Sequence, residues 1–143
     1  MNKYFSLIGI LFLSGCVSFN GESVSPQSVL LRQNSLTNIS ALKAGMSYPE
    51  VTAIMGPFVK IGYKKSDYQT NGFEPITLRH PYRVETLSAQ DKAYEVTYYF
   101  TVINNADGII ADDELTPLVF EDQKLIGKGW DFLFQLRKNI KLM

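Results

Sequence analysis

Apolar residues recur along this chain with two spacings, and the switch between them lays out the elements. Leu36, Ile39 and Leu42 are spaced for one face of a helix over about Gln27 to Lys43. Gly45 falls where a left-handed C-terminal cap would stand. Ser47 and Glu50 then form an S-x-x-E capping box, with Pro49 in the first turn, where its missing N–H costs nothing. Met46 and Val51 occupy the two positions of a hydrophobic staple. The short helix started here turns Val51, Ile54 and Met55 inward and stops at Gly56-Pro57.

Beyond Pro57 the period drops to two. Phe58 to Tyr63 reads as a first strand, whereas Lys64 to Pro81 mixes Asn71, Gly72, Pro75 and charges and reads as a long loop. Alternation resumes from Tyr82 to Leu87, and Ala89-Gln90-Asp91-Lys92 reads as a hairpin turn. The clearest strand is Ala93 to Val102. Tyr94, Val96, Tyr98, Phe100 and Val102 share one face, and Glu95, Thr97, Tyr99 and Thr101 the other. Leu118-Val119-Phe120 and Leu125-Ile126-Gly127 flank a second hairpin turn over Glu121 to Lys124. Asp131 stands as the cap of a final helix carrying Phe132, Leu133, Leu136 and Ile140. The expected class is α+β: two N-terminal helices packed on a small antiparallel sheet of three or more strands, with a C-terminal helix.

The N-terminus follows a different grammar. Met1-Asn2-Lys3 is a short positive region, Phe5 to Leu13 is apolar and uncharged, and the small residues Ser14 and Gly15 follow, the pattern of a cleaved secretory signal. The apolar run is too short to span a bilayer, which takes about 20 residues. Val17 to Pro26 is small, polar and weakly patterned, as a flexible tether would be. The expected organisation is therefore a signal peptide over 1–15, a tether over 16–26 and one domain over 27–143.

Composition narrows the function classes. The 143 residues suit one compact domain, and 14 Lys+Arg against 14 Asp+Glu give zero net charge, unlike a nucleic-acid-binding protein. A single Cys excludes an intramolecular disulfide and a Cys-rich zinc site. His80 is the one histidine, so a His-rich metal site cannot be built, and it reads as a loop or surface residue. No Ser lies in a nucleophile-elbow context. These readings imply no catalytic residues, no cofactor and no metal.

One turn leaves calcium open. Setting Gly108 as an EF-hand glycine places Asn105, Asp107 and Glu114 at ligand positions, but the first ligand position falls on Ile103, and a plain Asn/Asp/Gly turn explains the same residues. From Ala93 to Gln123 the acids Glu95, Asp107, Asp112, Asp113, Glu114, Glu121 and Asp122 face no Lys or Arg in sequence, as in either a steering patch or a solvated loop face. Tyr99, Trp130 and Phe132 are candidates for an exposed aromatic patch, while Tyr94, Tyr98 and Phe100 read as core.

Two stretches resemble known patterns. Leu13-Ser14-Gly15-Cys16 resembles the bacterial lipobox at every position. That resemblance implies cleavage before Cys16, thioether lipidation of its sulfur and acylation of the freed amine. Each buried CH₂ contributes about 0.8 kcal/mol, so several chains hold durably where one holds marginally. Val17 after the cysteine, in place of Asp, implies the outer rather than the inner membrane.

The second stretch runs from Leu42 through Gly45-Met46-Ser47, Glu50-Val51 and Met55-Gly56-Pro57, and resembles the BamE (SmpA/OmlA) type of small lipoprotein. Phe58 stands where that family has a final Pro. The C-terminal part, from Leu115 to Trp130, resembles a related group of uncharacterised bacterial lipoproteins. The resemblance implies two helices on a three-stranded antiparallel sheet. It also implies a non-enzymatic adaptor in outer-membrane assembly or maintenance, held on the periplasmic face by acylated Cys16 and bound to an envelope protein partner. A periplasmic ligand-binding or enzyme-inhibitor lipoprotein is the alternative.

Overall fold

The computed structural model describes residues 26–68, 72–89, 91–105 and 109–142. The signal, Cys16, most of the tether and Asp107 of the calcium candidate lie outside the described residues.

Helix α1 (Pro26–Ala41) leads by a short connection into α2 (Tyr48–Met55). The inward ridge of α1 is not the one its leucines suggest. Ser28, Leu31 and Ser35 are buried, whereas Leu36 is 58% exposed. Two serines on a buried ridge let the helix backbone approach its neighbours closely, a preference that hydrophobic spacing does not register. α2 follows its sequence signature: Val51 and Met55 are buried and Gly56, at φ 74°, ends it. The Glu50 carboxylate accepts the Ser47 backbone N–H at 2.7 Å and the Ser47 hydroxyl at 2.6 Å. These two bonds hold the Glu50 carboxyl below its ordinary range.

The strands form two antiparallel sheets. A two-stranded hairpin joins β1 (Phe58–Lys65) to β2 (Phe73–Arg79), with a bulge between Lys60 and Gly62. The second sheet has four strands in chain order: β3 (Arg83–Ala89), β4 (Lys92–Phe100), β5 (Leu115–Glu121) and β6 (Lys124–Lys128). The long loop expected over Lys64 to Pro81 is corrected here, since β2 occupies much of it. A strand paired on one side only tolerates Pro75 and needs little burial, so its sequence carries few of the usual strand marks. The tight turn at Asp122 and Gln123 has positive φ at both residues (48° and 60°), the backbone hand that fits a two-residue hairpin.

α3 (Trp130–Leu142) closes the chain and packs on β5 and β6. It begins one residue before the expected cap, so Asp131 lies in the first turn, where a negative charge complements the helix dipole. The four-stranded sheet is covered on both faces. Tyr94, Val96, Tyr98 and Phe100 join Leu115, Val119 and Leu133 in one cluster, to which Leu31 of α1 and Val59 and Leu78 of the hairpin add. Tyr99, Leu118, Phe120 and Leu125 join Leu42, Val51 and Met55 in the other. Tyr99 is therefore 0% exposed, which corrects the expectation of a surface patch. The helical pair covers the face that strand alternation alone marks as polar.

The connection between α1 and α2 is stitched to the edge of β6. Gly45 N–H donates to Leu125 O at 2.8 Å, Leu125 N–H to Met46 O at 2.8 Å and Tyr48 N–H to Gln123 O at 3.0 Å. The segment that carries the strongest sequence pattern thus adds a short edge to the sheet and blunts it against pairing with other chains. Lys128 reaches back to the other end of the same connection, its Nζ donating to Ile39 O at 2.7 Å and Leu42 O at 3.0 Å. These carbonyls sit at the C-terminus of α1, where a cation is favoured.

Candidate functional site

A groove of about 360 Å³ opens between α1 and the start of β1. Asn34, Ser35 and Asn38 supply one wall, Phe58 and Val59 the other, and His80 lies among the lining residues. His80 lies just past the end of β2, as a loop residue would, but is only 9% exposed, which corrects the surface half of its reading. The end of β2 carries it there: its backbone N–H donates to Pro57 O at 2.9 Å, and a cis bond links it to Pro81. The ring stands edge-on to Tyr99, with centroids 5.0 Å apart at 74°.

The electrostatics of this pair follow from burial. Desolvation pushes the His80 pKa down, and the carbonyls of Met55, Phe100 and Gly56 oppose it only in part. Nδ1 lies 3.4 Å from Met55 O, while Nε2 has no hydrogen bond among the described residues. Burial pushes the Tyr99 phenol up to about 12, with Tyr48 adding to the rise and Thr97 offsetting part of it. His80 is thus held neutral. No Asp or Glu lines the groove among the described residues, and the donors and acceptors of Asn34, Ser35, Asn38 and His80 suit binding of a small polar group.

This geometry fixes the sign of a pH effect. A histidine whose folded pKa lies below its unfolded value of about 6.5 favours the folded state fully above that pH and progressively less below it. Urea unfolding should therefore show falling stability from pH 7.5 to pH 5.5, and His80→Phe should flatten that slope. An unchanged slope in the variant would assign the effect elsewhere.

Glu114 is 2% exposed, and its carboxylate faces its own backbone. Oε1 accepts the N–H groups of Asn104 at 2.8 Å and Asn105 at 3.2 Å, and Oε2 that of Ala111 at 3.2 Å. The carboxylate whose spacing left a cation ligand open is thus engaged in tying both sides of its loop. No group of three or more metal-ligating side chains gathers among the described residues. The acidic stretch is also not one patch. Asp112 pairs with Arg83 at 2.9 Å, Glu121 pairs with Lys92 at 2.6 Å, and Glu114 points inward.

One polar cluster is barely forewarned in the sequence. Glu85 on β3 accepts a hydrogen bond from the Tyr98 hydroxyl at 2.7 Å and one from Arg137 of α3 at 2.6 Å, and Arg137 also reaches Tyr98 Oη at 3.1 Å. Arg83 lies 4.1 Å above the Tyr98 ring. Burial alone would raise the Glu85 carboxyl, but Tyr98 and the Arg137 guanidinium hold it below the ordinary range. The one available signal is Glu85 itself, a charge on the strand face that pairs with Val96. The cluster clasps α3 to the sheet.

Both partners are partly exposed (29% for Glu85 and 39% for Arg137), so solvent screening limits the pair. Arg137→Ala should cost about 1 kcal/mol. With its folded pKa depressed, Glu85 stabilises above its unfolded value near 4.5, and that contribution fades as the pH falls. A double-mutant cycle with Glu85→Gln in denaturant titrations should return a favourable coupling that vanishes in acid.

The fold defines an α+β protein whose four-stranded meander lies between an α1–α2 layer and α3. A family model described as a protein of unknown function (DUF3192) matches residues 77–134, from the end of β2 into the first turns of α3. No curated protein and no solved structure matches the chain.

Proposed function

We propose that this chain is a BamE-like lipoprotein, anchored through acylated Cys16 to the periplasmic face of the outer membrane and acting as a non-enzymatic adaptor in envelope assembly or maintenance. The observation that carries this reading is Leu13-Ser14-Gly15-Cys16 directly after an apolar run too short to span. Among the described residues no helix is long and apolar enough to cross a membrane; in this reading the acyl chains supply the attachment. The BamE-like stretch supports the fold comparison through its own roles: Ser47 and Glu50 cap α2, Gly45 and Gly56 take positive φ, and Met46 packs against the cluster that contains Val51.

Cys16→Ala is the direct test. Wild-type protein should incorporate labelled palmitate and float with outer-membrane fractions, and the variant should do neither. Unchanged flotation of the variant would sink the lipid anchor. Cross-linking in intact envelopes followed by capture should return a membrane-protein partner. Recovery of a single soluble enzyme would favour the inhibitor reading, to which the groove beside His80 lends structural support.

A further inference from the structure

We infer that the groove between α1 and β1 takes a short extended peptide segment of a partner protein, paired with the free edge of β1 and carrying a carboxylate opposite Lys60. The strand is hydrogen-bonded to β2 on one side only. On its other side its main-chain groups have no backbone partner among the described residues. Phe58, Val59 and Lys60 all line the groove. Successive side chains point to opposite faces of a strand, so a groove bordered by three residues in a row runs along the edge and not over a face. An unpaired edge is a template for one more strand: main-chain hydrogen bonds supply affinity, and contacts to alternate side chains supply selection.

The opposite wall suits the same occupant. The side chains of Asn34, Ser35 and Asn38 make no hydrogen bond among the described residues, although Ser35 is buried. Asn34 and Asn38 are one turn apart on α1, a rise of about 6 Å, close to the two-residue repeat of an extended chain at about 6.6 Å. A carboxamide offers a donor and an acceptor together, which is what a peptide unit requires. His80 adds a buried Nε2 with no partner among the described residues. Leu30 and Phe58 stand exposed beside these polar groups, where an occupant's side chains would cover them. A saccharide could use the amides and the Phe58 ring equally well, but it has no row of main-chain groups to match the edge.

Charge and length follow from the same residues. Lys60 is the one charged side chain lining the groove among the described residues, so a carboxylate is favoured beside it and a basic side chain is not. The bulge after Lys60 interrupts the straight edge, which therefore accepts a short segment and resists stacking of whole chains. The partner's place in the envelope rests on the reading proposed above, whereas the groove itself needs no lipid anchor.

The test uses the full chain in detergent and two fluorescent pools of capped peptides about six residues long, one with glutamate and one with lysine fixed at the centre. The glutamate pool should bind about fivefold more tightly than the lysine pool, and Lys60→Glu should reverse that preference. Methylating the peptide nitrogens should cut affinity by about tenfold, because main-chain bonds to the edge are lost. Asn34→Ala combined with Asn38→Ala should weaken binding by a similar factor and leave melting unchanged, since neither side chain is buried. Amide exchange over 58–60 should slow when peptide is bound. Cys16→Ala should bind as the wild type does, so failure of the anchor and failure of the groove are separate results. Retention of neither pool would overturn the inference. So would indifference to N-methylation, or tighter binding of chitobiose than of either pool, which would assign the groove to a sugar.

Discussion

Glu114→Ala will destabilise the domain by about 3 kcal/mol, with the loop between β4 and β5 opening first. The carboxylate is 2% exposed and accepts three backbone N–H groups, from Asn104, Asn105 and Ala111. Hydrogen bonds to a charged acceptor contribute about 1.5 to 3 kcal/mol, and removing the acceptor strands buried donors. Glu114 also holds the strand ends through its backbone, since Thr101 N–H donates to its carbonyl at 3.0 Å. Glu114→Gln keeps one acceptor oxygen but turns an N–H₂ toward a donor, and should fall between the two. Urea titrations measure the loss, and amide exchange at Asn104, Asn105 and Ala111 should rise well before the rest of the sheet. A loss under 1 kcal/mol would show that water replaces the carboxylate.

The second large effect is steric. A Cβ added at Gly127 on β6 would lie 2.2 Å from the Phe132 ring, so Gly127→Ala forces that ring off its seat or α3 off the sheet. Overpacking of this kind costs about 1 to 3 kcal/mol, and the upper end is expected because the clash involves three ring carbons. Phe132→Ala should itself destabilise by removing a packed aromatic, yet it should make Gly127→Ala nearly free. A double-mutant cycle would then give a coupling above 1 kcal/mol, the sign of direct contact. Simple additivity would mean that α3 shifts as a body and that Gly127 is needed for some other reason.

Both residues show where sequence reasoning stops. By its spacing to Asn105 and Asp107, Glu114 suits either an oxygen cage or a plain turn. In the structure the same carboxylate faces backbone amides, a partner class that spacing between side chains does not address. Gly127 reads merely as the end of a strand. Its role depends on Phe132, five residues on and brought over the sheet by the positive φ of Gly129 (86°).

The candidate groove was no more legible. His80 stands between Arg79 and Pro81, a setting that spells loop. Only the pairing of β2 with β1 lays it against Tyr99 and the end of α2. The clasp of Glu85, Tyr98 and Arg137 joins residues up to 52 positions apart. Lys60 Nζ reaches the Tyr63 hydroxyl at 3.1 Å because the bulge between Lys60 and Gly62 brings both residues to the same side of the hairpin.

The sequence by itself determined the parts whose energetics are local. The capping box and positive-φ glycines set α2, strict alternation set β4, and the turn residues set both hairpins of the larger sheet, because each depends on neighbours within a few positions. The signal-like N-terminus and the lipobox-like Leu13-Ser14-Gly15-Cys16 are likewise patterns of neighbouring residues, read without any tertiary contact. Tertiary structure decided what touches what. It buried the nominally polar face of β4 under the helical pair, turned the serine ridge of α1 inward, and made a strand of Phe73–Arg79 where Pro75 and charges spoke against one. The physical reason is that burial and pairing are properties of the neighbour that arrives, and the free energy of covering a ring or satisfying a buried amide is set only once that neighbour is in place.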